Sequence, residues 1–110
     1  MRWMRDYWMN DELWRYFELD DERFVRRQVE LEGPDREANT ACSMDEWEDA
    51  LRDNIGDQYY ETYGMVDEWS FTHGDHEDPQ PSDKAEFESV WAQARRACEA
   101  GSRSRPDPAL

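Results

Sequence analysis

The first third of the chain alternates between apolar and polar positions. Residues 2–9 are aromatic and mixed, with Trp3, Tyr7 and Trp8, and Asn10-Asp11-Glu12 breaks the run. Residues 13–19 place Leu13, Phe17 and Leu19 on one face and Trp14, Tyr16 and Glu18 on the other. Asp20-Asp21-Glu22 supplies a turn. Residues 24–31 then set Val25, Val29 and Leu31 against Arg26, Gln28 and Glu30. A two-residue period bounded by polar clusters is the mark of half-buried strands, so this region predicts a β-meander. Arg27 falls on the apolar parity, so it must lie at a sheet edge or pair with a carboxylate. Gly33-Pro34-Asp35 ends the meander.

The period then lengthens to that of a helix. Ser43-Met44-Asp45-Glu46 reads as a capping box, with Glu46 reaching back to the Ser43 amide. Met44, Trp47 and Leu51 fall on one face of a helix over 44–53, and Gly56 is its expected stop. Residues 57–63 predict a short second helix ending at Gly64, and 65–71 alternate as a further strand. Gly74, Pro79 and Pro81 mark 72–82 as a loop. Asp83 caps the clearest helix, whose stripe is Phe87, Val90, Trp91, Ala94 and Cys98 and whose end is Gly101. The expected fold is therefore α+β. It is a single domain over 1–101, an antiparallel sheet of three to four strands packed against two main helices. Residues 102–110 are expected as a flexible tail. Val25, Val29, Leu31, Trp47, Leu51, Phe87, Val90 and Trp91 are expected to share one core.

Composition sharpens this picture. The 110 residues carry a formal net charge of −15. Charged residues make up 37% and mean hydropathy is −1.21, which leans toward disorder. Six Trp, five Tyr and four Phe argue for a packed aromatic core instead. The charge is localised. Residues 37–78 hold thirteen acids against Arg52 alone, whereas the last thirty residues are neutral. Such a surface repels phosphate and attracts basic protein faces or cations. No leader is expected from Met1-Arg2-Trp3-Met4-Arg5-Asp6, and no apolar run reaches a membrane span. Cys42 and Cys98 are expected as reduced thiols in the cytoplasm.

The candidate chemistry is sparse. His73-Gly74-Asp75-His76-Glu77-Asp78 could hold a divalent cation, but the spacing matches no established site and a solvated acidic loop accounts for it. Asp20-Asp21-Glu22 and Asp45-Glu46-Glu48-Asp49 read as a turn and a helix skin rather than an acid–base pair, which needs one desolvated carboxyl. Cys42 at a helix start with His73 or His76 lacks every other part of a nucleophilic site. Aromatic stacking platforms for bases sit in basic grooves, and this chain is acidic. Core packing accounts for Phe17, Trp47, Phe87 and Trp91. Trp8, Trp14, Tyr59, Tyr60 and Tyr63 are the aromatics with binding potential.

Residues Leu13–Arg23 and Arg27–Leu31, with the closing Glu86-Phe87-Glu88-Ser89-Val90-Trp91, resemble small acidic actinobacterial proteins. Those have an N-terminal strand pair with an acidic turn, a variable middle and a C-terminal helix of this pattern. Similar compact acidic domains include immunity proteins that neutralise toxins, so the resemblance implies a sequestering role and transfers no functional residue.

The expected function is thus non-enzymatic and needs no cofactor. The chain would bind and block a basic protein, whether a toxin, a nuclease or another nucleic-acid-binding protein, as an immunity protein, antitoxin or DNA-mimic inhibitor does. It would contact neither nucleic acid nor membrane. The expected contact residues are Asp45, Glu46, Glu48, Asp49, Asp53, Asp57, Tyr59, Tyr60, Glu61, Tyr63, Asp67 and Glu68. The alternative is a metal-binding protein or metal-dependent enzyme built on residues His73–Asp78.

Overall fold

The alternating third of the chain does become sheet. The computed structural model describes residues 1–8, 12–65 and 80–101. In it β1 (Arg2–Trp8), β2 (Leu13–Leu19), β3 (Val25–Glu32) and β4 (Glu37–Ser43) form an antiparallel meander. A two-residue β5 (Gln80–Pro81) joins the free side of β1, giving the order β4-β3-β2-β1-β5. Three helices accompany the sheet: α1 (Met44–Arg52), α2 (Gly56–Tyr63) and α3 (Lys84–Glu99). The fold is a single α+β domain with five strands, more than the three or four expected. β5 falls in the expected loop 72–82. The strand expected over 65–71 lies, beyond Met65, outside the described residues, as does the tail 102–110.

β4 has no large apolar residue, so its sequence does not read as a strand. It forms because β3 offers a paired edge, with Val29 opposite Ala41 and Gln28 opposite Cys42. Its small side chains have a use: Ala38 and Ala41 lie in the buried layer that receives Phe87, Ala94 and Cys98 of α3.

Two bulges break strict alternation. Between β2 and β3, Glu18 faces Arg27 but Leu19 faces Val25, so Arg26 is the extra residue. A one-residue shift moves a side chain to the other face. Val25 therefore leaves the face of Val29. The single expected core is two clusters instead. Val29, Phe87, Ala94 and Cys98, with Leu31, Val90 and Trp91, fill the α3 side. Phe17, Leu19, Val25 and Cys42, with Met44 and Trp47, form the second. Leu51 joins neither and is 54% exposed.

Arg27 is not at an edge, since β3 is flanked by β2 and β4. It takes the other expected course. Its Nε and Nη2 donate to Glu18 at 2.8 and 2.7 Å, and Nη2 also reaches Glu88. Its guanidinium lies over the rings of Phe87 and Trp91 at 4.8 and 4.9 Å. On the other face Arg15 and Asp6 form a second buried pair, at 2.9 and 2.5 Å.

The helix starts follow their caps. Asp83 Oδ1 accepts the Glu86 amide at 2.8 Å and Ser43 Oγ accepts the Glu46 amide at 3.4 Å. The returning half of the Ser43 box is not made. The Ser43 amide donates to Tyr59 Oη at 3.0 Å, and Glu46 is engaged elsewhere. Gly56 does not stop α1: the chain turns at Asn54, whose φ is +59°, and Gly56 opens α2.

Candidate partner-binding surface

α2 and Arg95 of α3 close off the outer edge of β4. An open edge offers unpaired N–H and C=O groups to other chains. Here Arg95 Nη1 donates to the Ala41 carbonyl at 3.2 Å, and Tyr59 Oη accepts the Ser43 amide at 3.0 Å. α2 can come this close because it ends on Gly64, at φ +84°. A Cβ there would stand 2.7 Å from Thr40 Oγ1 of β4.

This edge consumes several residues expected to meet a partner. Glu46 accepts from Tyr59 Oη at 2.7 Å and from both Arg95 Nη atoms at 2.7 and 3.3 Å. Burial pushes the Glu46 carboxyl up, but the hydrogen bonds and charge of Arg95, with Tyr59, outweigh it and leave the pKa below the usual range. Burial pushes the Tyr59 phenol well above its ordinary value. Tyr63 Oη donates to Glu99 at 2.8 Å while the Arg95 guanidinium stacks 3.7 Å over its ring. Glu46, Tyr59 and Tyr63 thus hold α1, α2 and α3 together.

The remaining expected contacts point outward. Asp45 is exposed and pairs with Arg26, and Asp49 pairs with Arg52 at 2.6 Å, one turn along α1. Exposed pairs of this kind contribute about 0–1 kcal/mol and leave the carboxylates available. Glu48, Asp53, Asp57, Tyr60 and Glu61 are also exposed. No ion pair among the described residues engages Glu48, Asp53 or Asp57. Asp67 and Glu68 lie outside the described residues.

The feature that sequence reasoning missed is apolar. Leu51, Ile55, Tyr60 and Met65 are all large and exposed, and all belong to the acidic stretch. Leu51 shares the helical spacing of Met44 and Trp47, yet Ala50 is the residue of that turn that is buried. Leu51 Cδ2 instead overhangs Gly56, where a Cβ would lie 3.1 Å away. The signal was present in sequence as Leu51 and Ile55 flanking the polar turn Arg52-Asp53-Asn54. Helical spacing alone assigned Leu51 to the core.

The other candidates resolve simply. Asp20 shapes a turn, its Oδ1 accepting the amides of Glu22 and Phe24 at 2.9 and 3.0 Å. Cys42 and Cys98 are free thiols and both buried. The His73–Asp78 cluster and the side chain of Trp8 lie outside the described residues. Among the described residues no group of three or more His, Cys, Asp or Glu is placed to hold a metal. None of the helices searched is long and apolar enough to cross a membrane. No protein-family model, curated protein or solved structure matches the chain.

Proposed function

We propose that the α1–α2 layer is a docking surface for a basic protein, and that the chain acts without catalysis by occupying that partner's surface. One observation carries this reading. Exposed Leu51, Ile55, Tyr60 and Met65 are interleaved with exposed Asp45, Glu48, Asp49, Asp53, Asp57 and Glu61. Exposed apolar side chains interspersed with charge along one segment are the makeup of an interaction face. The carboxylates supply steering, and the apolar side chains supply residence once water is expelled. A toxin, nuclease or other nucleic-acid-binding protein has the required positive surface. Inhibition by an immunity protein, an antitoxin or a nucleic-acid mimic is the form such binding would take. Two buried free thiols fit a cytoplasmic setting.

The test uses the full chain as bait in a lysate of its source organism, with two variants. Glu48→Lys/Asp53→Lys/Asp57→Lys reverses exposed charges and spares Glu46. Leu51→Ser/Ile55→Ser removes the apolar centre. The retained partner is expected to present a basic surface. The charge variant is expected to slow association by about 10-fold at low salt and to flatten its salt dependence. The apolar variant is expected to speed dissociation. A partner without a basic surface, or association and dissociation rates unchanged in both variants, overturns the proposal.

A further inference from the structure

Away from the acidic layer, the sheet carries a pocket of opposite character. Strand register sets Tyr7 opposite Trp14 and Arg5 opposite Tyr16 on the face that also carries Val29 and Leu31. α3 covers the Val29 end of that face. The other end opens into a pocket of about 510 Å³ lined by Arg5, Tyr7, Trp14, Tyr16, Arg36 and Gln80. Asp6 also borders it, but its carboxylate is buried with Arg15 on the opposite face.

Two features make this a built site. The first is an aromatic wall. Tyr7 is 47% exposed and its ring lies 4.7 Å from that of Trp14, tilted by 31°. The second is a positioned guanidinium. Arg36 stands in the β3–β4 turn, its Nη2 donating to Tyr16 Oη at 2.8 Å and its guanidinium 5.2 Å over the Trp14 ring. No carboxylate among the described residues pairs with it. An arginine has five N–H donors, and one bond to a phenol leaves the others for a planar acceptor. Arg5 is paired with Glu86 at 2.7 Å, so among the described residues Arg36 is the cation of the pocket that no carboxylate pairs.

We propose that this pocket binds a small planar aromatic monocarboxylate. Its carboxylate lies on Arg36 and its ring rests against Tyr7. A volume of this size is within the range of small-molecule sites, which combine an apolar wall with a few convergent polar groups. Overall charge selects the acid. A field of net −15 opposes every anion, and opposes a phosphate dianion about twice as strongly as a carboxylate. The larger neighbouring cleft under α3, of about 780 Å³, shares Tyr16 and Arg36 but adds the exposed Asp35 and Glu37, which disfavour an anion there. None of the lining residues belongs to α1 or α2, so this site is independent of the proposed docking surface.

The test is calorimetric titration of the full chain with 2-naphthoate, 2-naphthamide, cyclohexanecarboxylate and 2-naphthyl phosphate. 2-Naphthoate is expected to bind one per chain with a Kd of roughly 0.1–1 mM, at least about 10-fold tighter than the other three. Arg36→Gln is expected to weaken it about 10-fold or more, and Tyr7→Ser by a similar factor. Arg23→Gln, on a distant turn, is expected to change nothing. Unfolding midpoints for the variants within about 3 °C of the parent establish that these losses are local. No saturation by about 5 mM overturns the proposal, as does unchanged affinity in Arg36→Gln. Tighter binding of the naphthyl phosphate also overturns it, and reassigns the pocket to phosphate esters.

Discussion

Replacing Arg27 by alanine should destabilise the fold more than any single change on the helical skin. The Glu18 side chain is only 10% exposed, and Arg27 gives it two hydrogen bonds. Removing the cation leaves Glu18 buried with Trp3 Nε1, at 3.1 Å, as its remaining donor from the original set. Breaking a buried pair from one side costs about 3–5 kcal/mol. The bond to Glu88 adds little, because that carboxylate is well solvated. Lost stacking on Phe87 and Trp91 adds about 0.5–1 kcal/mol per ring, part of which overlaps the first figure. The expected total is about 4 kcal/mol, or a fall in Tm of roughly 15 °C for a domain of this length. Thermal unfolding followed by circular dichroism measures it. The double variant Glu18→Leu/Arg27→Met removes both charges and keeps volume, so it should recover to within about 1–2 kcal/mol of the parent.

The pH dependence separates charge from packing. The hydrogen bond from Arg27 holds the Glu18 carboxyl below the usual carboxylate range against the effect of burial. A depressed pKa gives stability that is present above about 4.5 and lost as pH falls through the folded-state value. Without Arg27, burial raises the same carboxyl, and protonation then relieves the variant. The gap between parent and Arg27→Ala should therefore be widest near neutrality and narrow below about pH 5. A gap under about 1 kcal/mol refutes the buried-pair reasoning. A large gap that is equal at acid and neutral pH means the loss is a cavity and not an orphaned charge.

Two further changes probe the layer that shields β4. Gly64→Ala should cost about 2–4 kcal/mol by chemical denaturation, because a side chain at φ +84° is strained and its Cβ would overlap Thr40. Tyr59→Phe should cost about 1–2 kcal/mol and raise hydrogen exchange at the Ser43 amide, which loses its acceptor. An unchanged midpoint in either variant would mean that α2 does not depend on β4.

The parts of the fold legible in sequence were those carried by large side chains at short range. Phe17, Leu19 and Val29 mark their strands by alternation, and Phe87, Val90, Trp91, Ala94 and Cys98 mark α3 by helical spacing. Arg27 was legible as a misfit, because a cation on an apolar parity demands a partner. β4 was not, since Ala38, Thr40, Ala41 and Cys42 gain strand character only from pairing with β3 and from the helix above them. The bulge at Arg26 has no local signature, so Val25 was assigned to the wrong face. Of the candidate surface, the acidity was plain. The diversion of Glu46 was not, because its partner Arg95 lies 49 residues along the chain. Leu51 failed for a related reason: helical period tells which residues share a face, not whether another element covers that face.

The division of labour among the acids bears on what the block is for. Glu46 is held by Tyr59 and Arg95, so its charge serves the packing of the three helices. Asp45 and Asp49 are themselves exposed and their bridges to Arg26 and Arg52 contribute little, and Glu48, Asp53 and Asp57 meet no arginine among the described residues. A coat of charge serving only solubility would be spread over the molecule, and it would avoid large apolar side chains in its midst. Neither holds here. The acids crowd one stretch, and that stretch also exposes Leu51, Ile55, Tyr60 and Met65. Each exposed apolar group raises the hazard of nonspecific association, which surrounding carboxylates suppress for acidic and neutral surfaces but not for basic ones. On the proposed reading the same carboxylates would repel wrong partners and attract the basic class. This is why charge and apolar exposure together support a selective docking face, where either alone would not.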